Sequence, residues 1–244
     1  MKLSIIVPVF NEEKTVSEVL EKLSKLTIKG MEKEIIVVND GSTDNSKLEI
    51  QSFSKAQGKN SKLKGIKVIS HNNNLGKGAA VRTGIKHAKG DYIVIQDSDL
   101  EYNPKDIAKL LLPIIKNKAI IVYGTRLKRL PNLSGEERTK RFFIHYLGNK
   151  FLSLVTSILY GQWITDMETG YKVFSKNAVD RLSLKSRSFD FEPELTVKLL
   201  KKGYSILEIP ITTNPRNYKE GKKLNTIKDG FVALWTLLKY RVVD

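Results

Sequence analysis

The chemistry-bearing side chains of this chain gather where apolar runs end. Asp97-Ser98-Asp99 follows the run from Asp91 to Gln96, and Glu101 stands two residues further on. Two carboxylates at this spacing converge on one hard divalent cation, Mg²⁺ or Mn²⁺, whose shell is completed by phosphate oxygens and water. Such an ion neutralises and orients a departing diphosphate. Without it the acids repel one another and one tends to keep its proton. An earlier run ends in Asn39-Asp40-Gly41-Ser42-Thr43-Asp44. Asp40 there can accept a hydrogen bond from a base N–H, and the segment also reads as a plain turn and helix cap. In Asn72-Asn73-Asn74-Leu75-Gly76-Lys77-Gly78 small residues allow close approach to a ligand. Lys77 at a helix start favours a phosphate, although the segment reads equally as a glycine-rich turn.

These segments are positioned by an alternation of strands and helices. Leu3 to Val9, Glu34 to Asn39, Ile66 to Ser70, Asp91 to Gln96 and Ala119 to Tyr123 read as buried strands rich in Ile and Val. Between them, Thr15 to Leu26, Thr43 to Gln57, Gly76 to Ala88 and Pro104 to Lys116 carry helical periodicity; Asn103 and Pro104 mark the last start. The series predicts an α/β fold, a mostly parallel sheet with helices on both faces. Ligands of such sheets bind beyond the carboxyl ends of the strands. The first strand ends in Pro8-Val9-Phe10-Asn11-Glu12-Glu13, with no Gly-x-Gly-x-x-Gly, and Gly76-Lys77-Gly78 lacks the surroundings of a Walker A loop.

Past Gly124 the character changes. Residues 125–141 form a basic loop, and 142–160 an apolar helix with Phe143, Leu147, Phe151, Leu154 and Ile158 on one face. A strand-helix-helix-strand passage runs through Ile211, and a last helix spans Thr226 to Arg241, with Ile227, Phe231, Leu234, Trp235 and Leu238 as its stripe. Charge follows the same division. The chain of 244 residues carries a net charge of +16, with six bases against two acids from Arg126 to Arg141 and ten against four from Lys198 to Asp244. Such segments suit phosphates, anionic lipid headgroups or nucleic acid. Uninterrupted apolar runs such as Leu110 to Ile115 fall far short of a spanning helix, and the N-terminus reads as a strand rather than a signal peptide. The two apolar helices read either as core or as helices lying in a membrane interface.

Four loops in order, Pro8–Glu12, Asp40–Asp44, Asn74–Gly78 and Asp97–Asp99, resemble those of the GT-A fold (Rossmann-like) glycosyltransferases of family 2. Further segments narrow the resemblance to the branch of dolichyl-phosphate mannose synthases and dolichyl-phosphate glucosyltransferases. They are Gly124-Thr125-Arg126, Asp166 to Phe174, Phe189 to Glu194, and Pro215-Arg216 with Glu220 to Lys223. The resemblance implies that Pro8, Phe10, Asn11, Glu12, Asp40, Lys77 and Asp97 hold the nucleotide, and that Asp97, Asp99 and Glu101 hold the metal. It implies that Asp97, Asp99, Arg126 and Arg216 serve the reaction, with Arg126, Arg141, Arg216 and Lys223 on the acceptor phosphate. Glu101 stands where mannose synthases often have Gln, and Phe10 where Tyr is common.

The expected organisation is a domain over 1–225, with a nucleotide-sugar half to residue 124 and an acceptor half from 125 to 225, then an amphipathic helix over 226–244. The expected reaction is inverting transfer of mannose or glucose from GDP-mannose or UDP-glucose to a polyprenyl phosphate, using Mg²⁺ or Mn²⁺. Its expected place is peripheral, on the cytoplasmic membrane face. A lipid phosphate is already anionic and needs no strong base, which suits a chain whose His71, His87 and His145 read as structural. Cationic clamps would hold the two phosphates in line, and the arginine fork suits the task. Two other readings stay open: a saccharide acceptor, and a non-catalytic basic module for membranes or nucleic acid. Nucleic acid is disfavoured because Asp97 and Asp99 repel a polyanion.

Overall fold

A computed structural model describes residues 1–56, 66–126, 140–216 and 226–243. The Ile- and Val-rich runs form the strands β1 (Lys2–Val9), β2 (Glu32–Asn39), β3 (Ile66–Ser70), β4 (Tyr92–Ile95) and β5 (Ile121–Thr125). With β6 (Lys172–Ser175) and β7 (Ile206–Pro210) they make one seven-stranded sheet, ordered β3-β2-β1-β4-β6-β5-β7. β1 pairs in parallel with β2, Val9 opposite Asn39, and with β4, Ile6 opposite Ile95. β6 enters antiparallel to both β4 and β5, while β5 and β7 are parallel.

Strand alternation sends side chains into two cores. Leu3, Ile5 and Val7 face α1 (Val16–Lys25), α2 (Ser46–Ala56) and α4 (Asp106–Ile115). Ile6 and Ile36 face α3 (Lys77–His87), α6 (Lys176–Asp180) and α7 (Phe191–Lys201), and the inner sides of α5 (Lys140–Tyr160) and α8 (Thr226–Val242) complete that layer. α5 starts at Lys140, two residues before the expected helix, and two other helices start more than one residue later than expected. α2 begins at Ser46: Asp44 Oδ1 accepts the Ser46 N–H at 2.9 Å, while the Ser42 and Thr43 N–H groups are taken by Asn39 Oδ1 and Asn11 Oδ1, which keeps them out of the helix. Asn103 does not cap α4: its Oδ1 accepts the Lys105 N–H at 3.0 Å within a turn ahead of the helix, and α4 starts at Asp106 with Lys105 at its N-cap.

Most of the apolar stripe on each long helix faces away from the core, although Leu234 of α8 packs against it. On α5, Leu152, Ser153 and Thr156 are buried, while Leu147, Phe151 and Ile158 are 63%, 54% and 73% exposed. On α8, Ala233, Leu237 and Tyr240 are buried, and Phe231 and Trp235 are 70% and 67% exposed. The expectation that no segment is apolar enough to span a membrane is corrected by Phe142–Tyr160, 19 residues of mean hydropathy 1.2. His145, Gly148-Asn149-Lys150, Ser153 and Thr156-Ser157 break its apolar runs, yet the apolar residues between them keep the mean hydropathy high.

The chain leaves β1 for β2 and β3 on one side and reaches β4 on the other. The sheet therefore opens a crevice where β1 and β4 end, the place at which such sheets bind ligands.

Candidate active site

The loops after β1 and β2 are stitched to each other. Asn11, with φ 50°, accepts the Thr43 N–H on its Oδ1 at 2.8 Å, and its own N–H donates to Ser42 Oγ at 3.1 Å. The Glu12 N–H donates to Ser46 Oγ at 2.7 Å. Asn11 thus serves the loop; its neighbours Pro8, Phe10 and Glu12 border a cavity of about 450 Å³ that Asn11 does not line. Asp40, Lys77, Asp97, Asp99, Glu101, Arg126 and Arg216 line the same cavity. The structure so brings together ten of the expected residues. Arg141 falls in α5, with its side chain outside the described ones, and Lys223 lies outside the described residues.

Asp40 is buried and much of its hydrogen-bonding capacity is met from within the protein. Its Oδ1 lies 2.6 Å from His71 Nδ1 and accepts the Leu75 N–H at 3.0 Å, while Oδ2 accepts the Gly76 N–H at 2.7 Å. His71 Nε2 lies 2.9 Å from Thr83 Oγ1 on α3. Asp40 therefore organises the loop that opens α3, and His71 fixes Asp40. His71 is structural in this sense, yet its position between a cavity residue and α3 had no local signature. Gly76 has φ 96°, and a Cβ there would overlap the Arg187 carbonyl, so only glycine fits.

The loop after β4 is anchored by Ser98 Oγ, which donates to the Pro8 carbonyl at 2.9 Å, and Leu100 adopts φ 63°. A left-handed non-glycine residue between Asp99 and Glu101 is the kind of local strain that functional loops hold. Cationic side chains stand among the acids. Lys77 Nζ lies 2.9 Å from both Asp97 Oδ1 and Glu192 Oε1. Arg216 donates through Nη1 to Glu12 Oε2 at 2.8 Å and through Nη2 to Glu12 Oε1 at 3.0 Å, with Asp99 Oδ2 at 3.3 Å. Its backbone N–H donates to Glu101 Oε1 at 3.0 Å. Among the described residues no three acidic, His or Cys side chains already converge on an ion-sized site. The donor set still fits a hard cation. Burial, then the charges of Asp97 and Glu101, push the Asp99 carboxyl up to about 7 against the pull of Arg216. Acids this crowded are relieved by an added positive charge.

Arg126 is held differently. Its backbone N–H and Nε donate to Asp166 Oδ2, and Nη2 to Oδ1, all at 2.8 Å. Asp166 is fully buried. Burial opposes the charge on Arg126, but Asp166 outweighs it and holds the guanidinium well above its ordinary pKa. Beyond these residues the cavity is walled by Phe142, His145 and Tyr146 of α5 and by Asp229, Gly230 and Ala233 of α8, and floored by Glu168, Gly170 and Glu192. Glu168 and Glu192 lie in segments that carry the family resemblance, but nothing in their spacing assigned them a role.

Known proteins are similar to this chain. The model of glycosyl transferase family 2 matches residues 4–183. A UDP-N-acetylglucosamine–dolichyl-phosphate N-acetylglucosaminyltransferase of Methanococcus voltae is 31% identical over 98% of this chain and 95% of the relative. A dolichol-phosphate mannosyltransferase of Pyrococcus furiosus is also 31% identical, over 98% of this chain and 64% of that protein. Among solved structures, glucosyl-3-phosphoglycerate synthase of Mycobacterium tuberculosis, in complex with Mn²⁺, UDP and glucosyl-3-phosphoglycerate, superposes with a TM-score of 0.72. It is 20% identical over 98% of this chain and 79% of its own, which establishes the likeness of fold. Strand-end loops in the expected order, the α/β sheet that presents them, the family model over residues 4–183 and a relative that matches nearly end to end make this chain a member of glycosyl transferase family 2.

Proposed function

We propose that this glycosyltransferase moves a hexose or N-acetylhexosamine from a nucleotide-sugar to a polyprenyl phosphate, with inversion and with Mg²⁺ or Mn²⁺. One observation carries the reading: a single cavity joins a crowded carboxylate loop to two arginines and runs between α5 and α8, whose outer faces are apolar. Acids and a divalent ion suit the donor diphosphate; arginines suit the acceptor phosphate; apolar helix faces suit its lipid tail. The relatives' names support dolichyl-type phosphate and widen the sugar from mannose or glucose to N-acetylglucosamine.

In this reading Asp97, Asp99 and Glu101 hold the ion, which offsets charge on the departing nucleotide. Pro8, Phe10, Glu12, Asp40 and Lys77 frame the nucleotide, with Asn11 supporting their loop. Arg126 receives the acceptor phosphate from a fixed position, and Arg216, shared between Glu12 and Asp99, would be released toward that phosphate where a bound cation neutralised those acids. Arg141 and Lys223 extend the acceptor side. Residues 1–124 form the donor half and 125–225 the acceptor half, and the 226–244 segment supplies α8 to the membrane-facing wall. α5 lies along the cytoplasmic membrane face rather than across it, a reading supported by Lys150 in mid-helix and by Leu152, Ser153 and Thr156 buried against the protein.

The test is transfer by purified protein with Mn²⁺ or Mg²⁺, a short polyprenyl phosphate, and GDP-mannose, UDP-glucose or UDP-N-acetylglucosamine in turn. A lipid-linked sugar from one donor supports the reading and identifies the base. Transfer to an added saccharide, with none to lipid, overturns the acceptor.

A further inference from the structure

Between the strands that deliver the two halves of the site lies a lysine that none of the assigned roles uses. β4 leads to Asp97 and β5 to Arg126, and β6 pairs with both strands. Lys172 opens β6 opposite Tyr123 of β5. It is fully buried and does not line the cavity. Its Nζ donates to the Met167 carbonyl at 3.1 Å and to that of Thr169, and lies 4.5 Å from the centre of the Tyr123 ring. An ammonium has three donors, and two carbonyls and a ring face account for them. Burial lowers its pKa to about 8 against the pull of Glu192, so the charged form still prevails at neutral pH.

Both carbonyls belong to the turn 166–170, and this turn has one end on each half of the site. At its start Asp166 takes three hydrogen bonds from Arg126. At its end the Gly170 N–H donates to Tyr102 Oη at 3.0 Å, and a Cβ on Gly170 would overlap Asp97 Oδ2. In between, the Met167 N–H donates to Ser153 Oγ of α5 at 3.0 Å. Burying a charge is opposed by its lost hydration, so an ammonium is not the simplest way to satisfy two carbonyls. What lysine adds is reach. Its long stem carries the contact from a strand with neighbours on both sides to a turn that has no ladder of its own. The turn is thereby pegged to the strand that separates the donor acid from the acceptor arginine.

We infer that Lys172 is a positioning residue for the transfer: by clamping the Met167 and Thr169 carbonyls it fixes where Asp166, and with it Arg126, stands relative to Asp97. Lys172 touches neither substrate, and no bond forms or breaks at it. The inference rests on the transfer reading above, in which Arg126 and Asp97 serve opposite reactants. A shift of the turn then disturbs the alignment of the reactants more than the binding of either.

Transfer kinetics, calorimetric titration with nucleoside diphosphate in Mn²⁺, and thermal denaturation of wild type, Lys172→Met, Lys172→Gln and Tyr123→Phe test it. Lys172→Met keeps the stem and loses the donors. Well below its Tm it should lose about a hundredfold in kcat. KM for the nucleotide-sugar and for polyprenyl phosphate should stay within about threefold, and nucleoside diphosphate affinity within about twofold. Lys172→Gln, which can still donate to one carbonyl, should fall between. Tyr123→Phe controls for stability alone. It keeps the ring beside the ammonium and gives up a buried bond of 3.0 Å to Thr196 Oγ1, so Tm should drop by about 3 °C with kcat within about twofold of wild type. A wild-type kcat in Lys172→Met makes the lysine structural and overturns the inference. So does a loss carried by KM or by nucleoside diphosphate affinity, a loss of kcat in Tyr123→Phe as large as in Lys172→Met, or a failure of both Lys172 variants to fold. A wild type that makes no lipid-linked sugar from GDP-mannose, UDP-glucose or UDP-N-acetylglucosamine overturns the transfer reading, and the positioning role with it.

Discussion

Two arginines face the same cavity and are held in opposite ways. Arg126 makes three hydrogen bonds to one carboxylate, Asp166, which is fully buried and has no role at the cavity. Arg216 divides its guanidinium between Glu12 and Asp99, both of which line the cavity among the acids read as donor residues. The first corner is permanent, because separating a buried ion pair strands a charge away from water. The second is provisional. Arg216 neutralises acids that a divalent ion would neutralise better, and its buried Nε has no partner among the described residues. A fixed cation can hold an incoming phosphate in place from the start, while a provisional one is free to change partners as the donor and its ion arrive.

The comparison breaks most visibly when the acid is neutralised in each corner. Asp166→Asn leaves the partly buried Arg126 without its counter-charge, a loss of about 3 kcal/mol, or roughly 10 °C in Tm for a chain of this size. Asp99→Asn removes repulsion along with the Arg216 contact, so its Tm should stay within about 2 °C of wild type or rise, while transfer falls about a thousandfold. Thermal denaturation and a transfer assay on both variants decide the matter. Equal Tm losses would erase the distinction between the corners, and full activity in Asp99→Asn would remove the metal assignment.

pH provides a smaller and more selective probe. Asp99 is held up to about 7 by burial, then by Asp97 and Glu101, above the ordinary carboxylate value of 3.8. The folded protein therefore binds this proton more tightly than the unfolded chain, and metal-free stability should fall as pH rises from about 4 to 7. Metal binding needs the ionised carboxylate, so Mn²⁺ affinity should weaken by up to about tenfold per unit as pH falls below about 7. Titration of Mn²⁺ binding at pH 5.5, 6.5 and 7.5 measures this, and an affinity flat across that range would contradict it.

Much of this was legible in advance, for reasons that particular residues make clear. The Ile and Val runs of β1 to β5 are long enough to read as buried strands, and the acids at their ends had to meet because parallel strands share an end. β6 was less legible: Lys172–Ser175 reads as a strand, but nothing local says that it runs antiparallel between β4 and β5. Asp166 lies forty residues from Arg126, so the partner that fixes that arginine is a product of tertiary packing. Helical periodicity revealed the stripes on α5 and α8 without giving their direction. They face outward because small hydroxyl residues can turn inward when their protons are satisfied locally. Thr156 donates to the Leu152 carbonyl, Ser157 to that of Ser153 and Thr236 to that of Val232, each at 2.8 Å. Leu152 and Leu237 then fill the interior alongside them.

The smallest perturbation sharpens the contrast most finely. Lysine keeps the charge of arginine and loses the planar fork. At Arg126 the fork is matched to both Asp166 oxygens, and its side chain is 22% exposed, so Arg126→Lys should cost about 1.5–3 kcal/mol through the lost charge-assisted bonds. At Arg216 the contacts are shared among acids that accept any cation, so Arg216→Lys should shift Tm by no more than about 2 °C and act on the acceptor instead. A phosphate received by a point charge rather than a fork should raise the KM for polyprenyl phosphate by about three- to tenfold, with kcat little changed. Measuring Tm and the KM for the lipid phosphate in both lysine variants sets the two corners side by side. If Arg216→Lys loses stability as Arg126→Lys does, Arg216 is a structural ion pair like its counterpart, and its movement toward phosphate has no basis.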